Sequence, residues 1–265
     1  LAVGSGWGAL ELKRREKEVG SLPVPASFVF PETLLGKEQS KWLALLENER
    51  LPEQNPEETP GDWQVQPEWY ELLRRSLEKS ENQNWYAWLH LGGMALERFD
   101  ETGARTAWEK SVELKPNAWA YRNLAVLAER QDDPEAALAF YEQAWQLTAT
   151  NPNLALTREY LAALLAARHY EQARTIYKTL PAAFGQDDRL VLIRGRLALE
   201  TGDFQTVEEV LAHDFAVIRE GETELTDLWL KRKAGLTEQT ANPALREQVL
   251  RDNPPPSRID FRIFS

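Results

Sequence analysis

The chain has 265 residues and contains no cysteine. This absence excludes disulfides, thiolate nucleophiles, Cys-ligated zinc and iron–sulfur clusters. The chain also has no run approaching the roughly 18 apolar residues that a membrane-spanning helix needs. Basic residues are outnumbered, and the formal net charge is −11. Nucleic acids and anionic membranes attract basic surfaces, so we expect neither as a partner.

Residues that carry chemistry are scarce or unpatterned. The three histidines, His90, His169 and His213, are far apart in the sequence and none has a second ligand at metal-binding spacing, so we predict no metal site. Residues 4–8 are rich in glycine but lack a following Lys-Ser or Lys-Thr, and we interpret them as a non-helical turn or edge where backbones approach closely. We predict no catalytic residue and no cofactor, although a triad assembled from distant positions stays open.

A repeated pattern extends from Trp85 to about Gly221 as helix, short turn, helix. In the second helix of each pair, a small residue is followed four positions later by a large one. The spacings between successive small residues are 33, 36 and 34, close to the period of about 34 residues of one helical-hairpin repeat family. The pairs are Ala104 with Trp108, Ala137 with Tyr141, Ala173 with Tyr177, and Val207 with Leu211.

The first of these units gives the clearest register. With Pro116 as the closing proline, Gly92 falls on the small-residue position of the first helix, and Trp88 falls on a large apolar position. Glycine at that position lets the two helices approach closely, and we expect Ala104 and Trp108 to face it across the contact. Each hairpin is amphipathic, so neighbouring hairpins must stack to complete a core.

This pattern resembles the tetratricopeptide-repeat family over roughly residues 84–221. The resemblance implies an all-α fold, a right-handed superhelix of about four helical hairpins with an irregular N-terminal arm and an extended C-terminal tail. It also implies a non-catalytic protein-binding or scaffold function, in which a peptide or a partner helix lies in the concave groove.

Six side chains are the candidate ligand-binding residues of that groove. Aromatic faces beside Arg and Asn suit a peptide or a sugar ring, and three arginines suit a carboxylate terminus or an acidic segment. One alternative is that Trp119 caps the contact between adjacent repeats. Another is that the arginines pair within the protein, with Glu129, Glu159 and Glu200. The six candidates are Tyr86, Trp119, Arg122, Asn123, Arg158 and Arg196.

Outside the repeats, apolar periodicity predicts helices over residues 37–50, 67–79, 225–233 and 243–251. The Pro- and Glu-rich residues 51–62 predict an exposed linker. We therefore predict three parts: an irregular arm with one helix (residues 1–62), the repeat domain (residues 63–222), and C-terminal helices with an extended tail (residues 223–265).

The two ends of the chain indicate a larger parent protein. The start, Leu1-Ala2-Val3-Gly4, has neither Met nor a visible secretory signal, so we expect a trimmed chain or an excised piece and take the cytoplasm as the default compartment. Residues 258–264 alternate apolar and polar side chains like a strand. Because an isolated strand is unstable, we expect this tail to return to the N-terminal arm or to an upstream β-domain.

Residues 4–11 and 259–264 together resemble the end of a bacterial family. In that family a β-sandwich like those of sugar mutarotases and glycoside hydrolases precedes tetratricopeptide repeats. The resemblance implies an alternative function, the helical C-terminal part of a carbohydrate-active enzyme that buttresses the sandwich, with carbohydrate as a further ligand.

Overall fold

The computed structural model describes residues 2–20, 28–216, 223–233 and 243–261. Within these ranges the regular structure is helical, apart from two parallel two-residue strands, Ala2–Val3 (β1) and Phe28–Val29 (β2). The predicted all-α class is confirmed. Two compact units are present, Leu1–Thr148 and Ala149–Ser265, and each is described by itself. The three-part division made from the sequence stays a prediction.

The described residues of the first unit form two helical hairpins preceded by three further helices. In the hairpins α4 packs on α5 and α6 on α7, and α5 also contacts α6. The helices predicted over residues 37–50 and 67–79 are α2 and α3. The bounds are α1 Gly6–Val19, α2 Lys37–Asn48, α3 Pro67–Ser76, α4 Trp85–Glu97, α5 Glu101–Leu114, α6 Ala118–Arg130 and α7 Pro134–Thr148.

The second unit repeats the hairpin arrangement in its described residues. Here α8 packs on α9, α10 packs on α11 and contacts α8, and α12 packs on both α10 and α11. The helices predicted over residues 225–233 and 243–251 are α12 and α13. The bounds are α8 Leu154–Ala166, α9 Tyr170–Thr179, α10 Asp188–Glu200, α11 Phe204–Leu211, α12 Glu224–Lys233 and α13 Pro243–Asp252.

The four hairpins begin at equivalent capping residues, which are spaced 33, 36 and 34 positions apart like the small residues of the sequence pattern. Each cap side chain accepts a hydrogen bond from the backbone N–H three residues later, as a preferred N-cap does. The turn inside each hairpin holds one residue with positive φ at the same intervals. The caps are Asn84, Asn117, Asn153 and Asp187, and the turn residues are Phe99, Asp132, Arg168 and Gly202.

The N-cap Asn117 makes further hydrogen bonds besides the one that caps α6. The Asn117 oxygen accepts from the Ala120 N–H at 2.8 Å, and its amide group donates to Ser111 Oγ at 3.1 Å and to the Lys115 carbonyl at 3.0 Å. Ser111 Oγ in turn donates to the Trp85 carbonyl at 2.8 Å. This buried chain of hydrogen bonds joins α4, α5 and the start of α6.

Replacing Asn117 by alanine is therefore expected to lower the free energy of unfolding by about 2–3 kcal/mol, since a cap and two buried hydrogen bonds are lost together. Asn153→Ala is the matched comparison, because the Asn153 side chain makes the cap bond to Leu156 at 3.1 Å. We expect about 1 kcal/mol there. Urea unfolding followed by circular dichroism measures both, and equal losses would contradict the role assigned to Asn117.

The close approach predicted within the first hairpin is present. A Cβ atom added to Gly92 would lie 2.3 Å from Trp108 Nε1, so the indole packs directly on the α4 backbone. Ala104 is fully buried beside it. Trp108 Nε1 also donates to the Leu89 carbonyl at 3.1 Å, which fixes the ring across the two helices.

The N-terminal arm contains a helix that the sequence analysis missed. Residues 4–11 were expected to be non-helical, but α1 begins at Gly6, capped by Ser5, whose oxygen accepts from the Gly8 N–H at 3.3 Å. The ring of Phe30 lies against the backbone, and added Cβ atoms at Gly4 and Gly8 would meet it at 2.1 and 2.4 Å. The expected close approach is correct, while the predicted irregular arm with one helix is wrong, since α1 and α2 both lie there.

The C-terminal tail also differs from the prediction. Ser257–Ile259 forms a 3-10 turn instead of a strand. Ile259 is fully buried in the apolar core of the second unit with Val191 and Leu211, and Phe261 packs against that core. Burial in a helical core removes the need for a strand partner that motivated the expected return to the arm. The strand predicted over residues 258–264 is therefore wrong over residues 258–261, and residues 262–264 lie outside the described residues.

In the part of the chain that the structure describes, no helix is both long enough and apolar enough to cross a membrane.

Candidate functional site

The predicted groove residues divide between the two units. Tyr86 lies on α4, and Trp119, Arg122 and Asn123 lie on α6, all in the first unit. The remaining two lie in the second unit, Arg158 on α8 and Arg196 on α10. The first four thus lie in the same unit, three of them on one helix.

Tyr86 and Trp119 contact a segment of the same chain. Residues 51–62, here called the strap, extend along α2, α4 and α6 and correspond to the predicted exposed linker. The prediction of a linker is wrong in one respect, because Leu51 is fully buried and the strap backbone is bonded to these helices. The other strap side chains are exposed or half-buried.

Four aromatic side chains hold the strap by the same kind of bond. In each, an indole N–H or a phenol O–H donates to a main-chain carbonyl of the strap. The surface of α2, α4 and α6 that carries these donors is here called the aromatic face. The pairs are Trp42 with Asp62 (3.2 Å), Trp85 with Gln54 (3.2 Å), Trp119 with Pro56 (3.0 Å) and Tyr86 with Pro60 (2.5 Å).

The sequence of the strap explains why its carbonyls are available. Prolines stand at positions 52, 56 and 60. Proline has no N–H and disfavours helix, so the strap forms no helix; it contains one turn, in which the Glu58 N–H donates to the Asn55 carbonyl at 3.1 Å. Indole and phenol groups supply the donors that such a backbone needs. Lys41 adds a charged donor, since its Nζ lies 2.8 Å from the Pro60 carbonyl.

Acidic strap side chains meet lysines of the first unit. Glu53 lies 3.3 Å from Lys115 Nζ, and Glu58 lies 3.8 Å from Lys37 Nζ. These pairs are exposed, so each contributes roughly 0–1 kcal/mol to stability. They favour an acidic segment at this face without holding it tightly.

A buried histidine lies beneath the strap. The His90 ring packs edge-on against Tyr86 and Trp42, with ring centroids 4.4 and 5.3 Å away, and its Nε2 is buried without a hydrogen-bond partner among the described residues. Burial, together with the nearby Lys41 ammonium, lowers the pKa of His90 to about 3. The imidazole is therefore neutral at physiological pH. Burial likewise raises the pKa of the Tyr86 phenol above its usual range, which keeps it protonated as a donor.

The strap leaves a cleft open beside α2. This space of about 200 Å³ lies between α2, the strap and the Tyr86 ring, and polar groups dominate its walls. The lining residues are Lys37, Glu38, Ser40, Lys41, Pro52, Gln54, Glu58, Thr59, Pro60 and Tyr86.

In the second unit both predicted arginines pair within the protein. Arg158 binds Asp187 through both carboxylate oxygens, with Nε 2.8 Å from Oδ1. Burial raises the pKa of the Asp187 carboxyl, but bonds from Arg158 and from the Leu190 N–H outweigh it and leave the pKa below its usual value. Arg196 lies 3.4 Å from Glu224 and borders a cleft of about 270 Å³. Pairing of the arginines within the protein is thus present for these two.

Arg122 and Asn123 are half-buried neighbours on α6, joined by a hydrogen bond of 3.3 Å from the guanidinium to the amide oxygen. They follow Trp119 by one helical turn, so the three side chains lie on one side of α6. Within the described ranges, no group of three or more His, Asp or Glu side chains is placed to hold a metal ion.

Sequence reasoning missed four members of this site, namely Trp42, Trp85, Lys41 and the strap. The proline spacing of four residues was visible in the sequence, as was the unusual number of tryptophans, 10 in all. Neither feature specifies which carbonyl meets which ring. That pairing joins residues 20 to 63 positions apart and depends on the tertiary fold.

Comparisons with known proteins bear on the repeats. Residues 128–197 match the family model described as Tetratricopeptide repeat. Among solved structures, the chain is similar to PilF from Pseudomonas aeruginosa, with 19% sequence identity and a TM-score of 0.45, over 69% of this chain and 73% of that chain. No curated protein sequence matches the chain. The resemblance to a β-sandwich family stays a prediction.

Proposed function

We propose that the chain is a non-catalytic protein-binding module that recognises an extended peptide segment of a partner, in keeping with the match of residues 128–197 to the family model described as Tetratricopeptide repeat. The recognition surface is the aromatic face of the first unit with Arg122 and Asn123 beside it. The second unit carries the other two proposed binding residues, Arg158 and Arg196.

The observation that supports this proposal is the strap. A non-helical segment, with one turn at residues 55–58, already lies on the aromatic face, and it is bound mainly through its main chain. A surface that binds main-chain carbonyls accepts many extended sequences, with side chains at the edge adding specificity. Arg122 and Asn123, one turn beyond Trp119, supply such an edge, and a guanidinium is suited to bidentate contact with a carboxylate.

A peptide-display selection on the full chain tests this function. Random peptides selected on the wild-type chain are expected to bind the double variant Arg122→Ala, Asn123→Ala about tenfold more weakly, which corresponds to about 1.4 kcal/mol. Arg130→Ala is the matched control, because Arg130 is an exposed arginine near the end of the same helix. We expect it to bind the same peptides as well as the wild type does.

Two results would count against the proposal. One is a selection that yields no binding peptide. The other is a set of peptides that bind the double variant and the wild type equally, which would move the recognition surface away from α6. Urea unfolding of the double variant should stay near that of the wild type, because half-exposed polar side chains contribute little to stability.

A further inference from the structure

We infer that the strap is an intramolecular stand-in for the partner, so that the aromatic face recognises an extended, proline-spaced, acidic segment and the strap must leave for that segment to bind. This inference deepens the proposed function and rests on it. It names the chemical class of the partner and predicts that the wild-type chain masks its own site.

The donors of the aromatic face determine the conformation of the occupant. Four neutral N–H and O–H groups and the Lys41 ammonium donate to strap carbonyls. Trp42, Trp85 and Tyr86 are fully buried, and a buried donor left without an acceptor costs about 1–3 kcal/mol. Any segment that replaces the strap must therefore offer free carbonyls at similar positions.

This requirement excludes an amphipathic helix as the occupant. The carbonyls of a helix interior are already bonded to N–H groups four residues later. An extended segment with regularly placed prolines cannot form a helix and keeps most of its carbonyls free. In the strap, with Pro52, Pro56 and Pro60, one carbonyl is used in the turn at residues 55–58, and four others accept from the aromatic face.

The lysines around the aromatic face determine which charge the bound segment should carry. Three lysines on or beside the face contact the strap: Lys37 pairs with Glu58, Lys115 pairs with Glu53, and Lys41 binds the Pro60 carbonyl. Lys41 is already paired with Glu38 at 3.0 Å, so an acidic segment gains from Lys37 and Lys115, whereas a basic one is repelled by them. Because the two Glu pairs are exposed, they select the partner more than they bind it.

The attachment of the strap determines what its release costs. Apart from Leu51, no strap side chain is fully buried, so the strap itself contributes little buried side-chain surface, although its release also exposes part of the buried rings that donate to it. The main attachments are hydrogen bonds, each worth about 0.5–1.5 kcal/mol net. Because the strap is part of the chain, its local concentration is about millimolar, and a free peptide of equal intrinsic affinity competes poorly.

The test compares the wild-type chain with a full-length variant in which residues 52–61 are replaced by alternating Gly and Ser, while Leu51 and Asp62 are kept. A fluorescein-labelled peptide of residues 50–64 is titrated into each, with anisotropy as the readout. We expect the peptide to bind the strap-replaced chain about tenfold or more tightly than the wild type.

Two altered peptides test the chemistry of recognition. A peptide with Glu53→Lys and Glu58→Lys is expected to bind the strap-replaced chain several-fold more weakly. A peptide with Pro52→Ala, Pro56→Ala and Pro60→Ala is expected to do the same, because it is less extended. If the strap-replaced chain keeps its helical circular dichroism and still binds the parent peptide no better than the wild type, the inference is overturned.

A second variant keeps the inference testable if strap replacement prevents folding. Trp119→Phe preserves most of the ring but removes one donor to the strap. A glutamate-specific protease is expected to cut this variant after Glu57 or Glu58 about threefold faster or more than the wild type, since one hydrogen bond fewer raises the open population. Trp229→Phe, in the second unit, is the control and is expected to leave the rate unchanged.

Equal cleavage of Trp119→Phe and wild type would show that the strap is a fixed part of the fold and would overturn the inference. That failure differs from failure of the proposed function. If display-selected peptides bind the wild type through Arg122 and Asn123 while strap changes have no effect, the proposed binding function is supported and the inferred role of the strap is rejected.

Discussion

Replacing Gly92 by alanine is expected to lower the free energy of unfolding by about 3 kcal/mol, whereas the same change at the adjacent Gly93 is expected to leave it unchanged or raise it by up to about 1 kcal/mol. A Cβ at Gly92 would lie 2.3 Å from Trp108 Nε1 and 2.5 Å from its Cδ1. Trp108 is almost fully buried, so the ring must shift against a packed core. That shift also strains the hydrogen bond from Trp108 to the Leu89 carbonyl.

Gly93 is a matched control within the same helix. Its added Cβ would meet only the ring of Trp63, at 3.9 Å, which is ordinary contact. Alanine is the better helix former there by about 1 kcal/mol. Urea unfolding followed by circular dichroism compares the two variants, and similar stabilities for both would remove the helix-packing register derived from the sequence.

The repeat register was predictable because it leaves a period in the sequence. Close approach of paired helices requires a small residue at a fixed position, and the register of the tetratricopeptide pattern, set by Pro116, predicted Gly92 opposite Trp108, where the structure has it. The caps Asn117 and Asn153 follow the same period, since every new hairpin must begin with a capped helix. Features that recur in each repeat can be seen without the structure.

The incorrect predictions share a physical cause. The structure of these segments is determined by contacts with residues that are distant in the sequence. Residues 4–11 looked non-helical because of their glycines, but these glycines admit the ring of Phe30 to the helix backbone. The tail alternates like a strand, yet Ile259 is buried by a helical core. A short alternation does not reveal which kind of surface will cover it.

The candidate site was half predictable for the same reason. The repeat register predicted that Tyr86 and Trp119 line one surface, and both donate to carbonyls of the strap. The strap itself was interpreted as a linker from its Pro and Glu content. Composition showed correctly that this segment forms no helix, but it carries no information about which distant rings its carbonyls meet.

The stability of the chain is expected to fall by about 2 kcal/mol between pH 8 and pH 5 because of His90 alone. The pKa of His90 is lowered to about 3 by burial and by Lys41, while the unfolded chain titrates near the ordinary value of 6.5. Between these values the unfolded state binds one more proton than the folded state. Stability therefore decreases as pH falls below about 6.5, by up to about 1.4 kcal/mol per pH unit.

The loss of stability caused by His90 occurs at a higher pH than the loss caused by the acidic groups. Burial raises the pKa of Glu11, but bonds from Arg14, Arg15 and Trp69 outweigh it and lower that pKa to about 2. Because the unfolded carboxyl titrates near 4.5, stability from Glu11 is lost mainly below that pH and leaves the range from 8 to 5 almost unaffected.

The variant His90→Gln tests the assignment, because glutamine keeps a hydrogen-bond donor and cannot titrate. Its free energy of unfolding is expected to be lower than that of the wild type at pH 8, since the packing against Tyr86 and Trp42 is altered. The difference is expected to shrink by about 2 kcal/mol at pH 5, because the wild type alone loses stability through this proton. His169→Gln, at an exposed position, should retain the wild-type slope. If His90→Gln keeps that slope as well, His90 is protonated in the folded state and the dry, strap-covered site described for it is wrong.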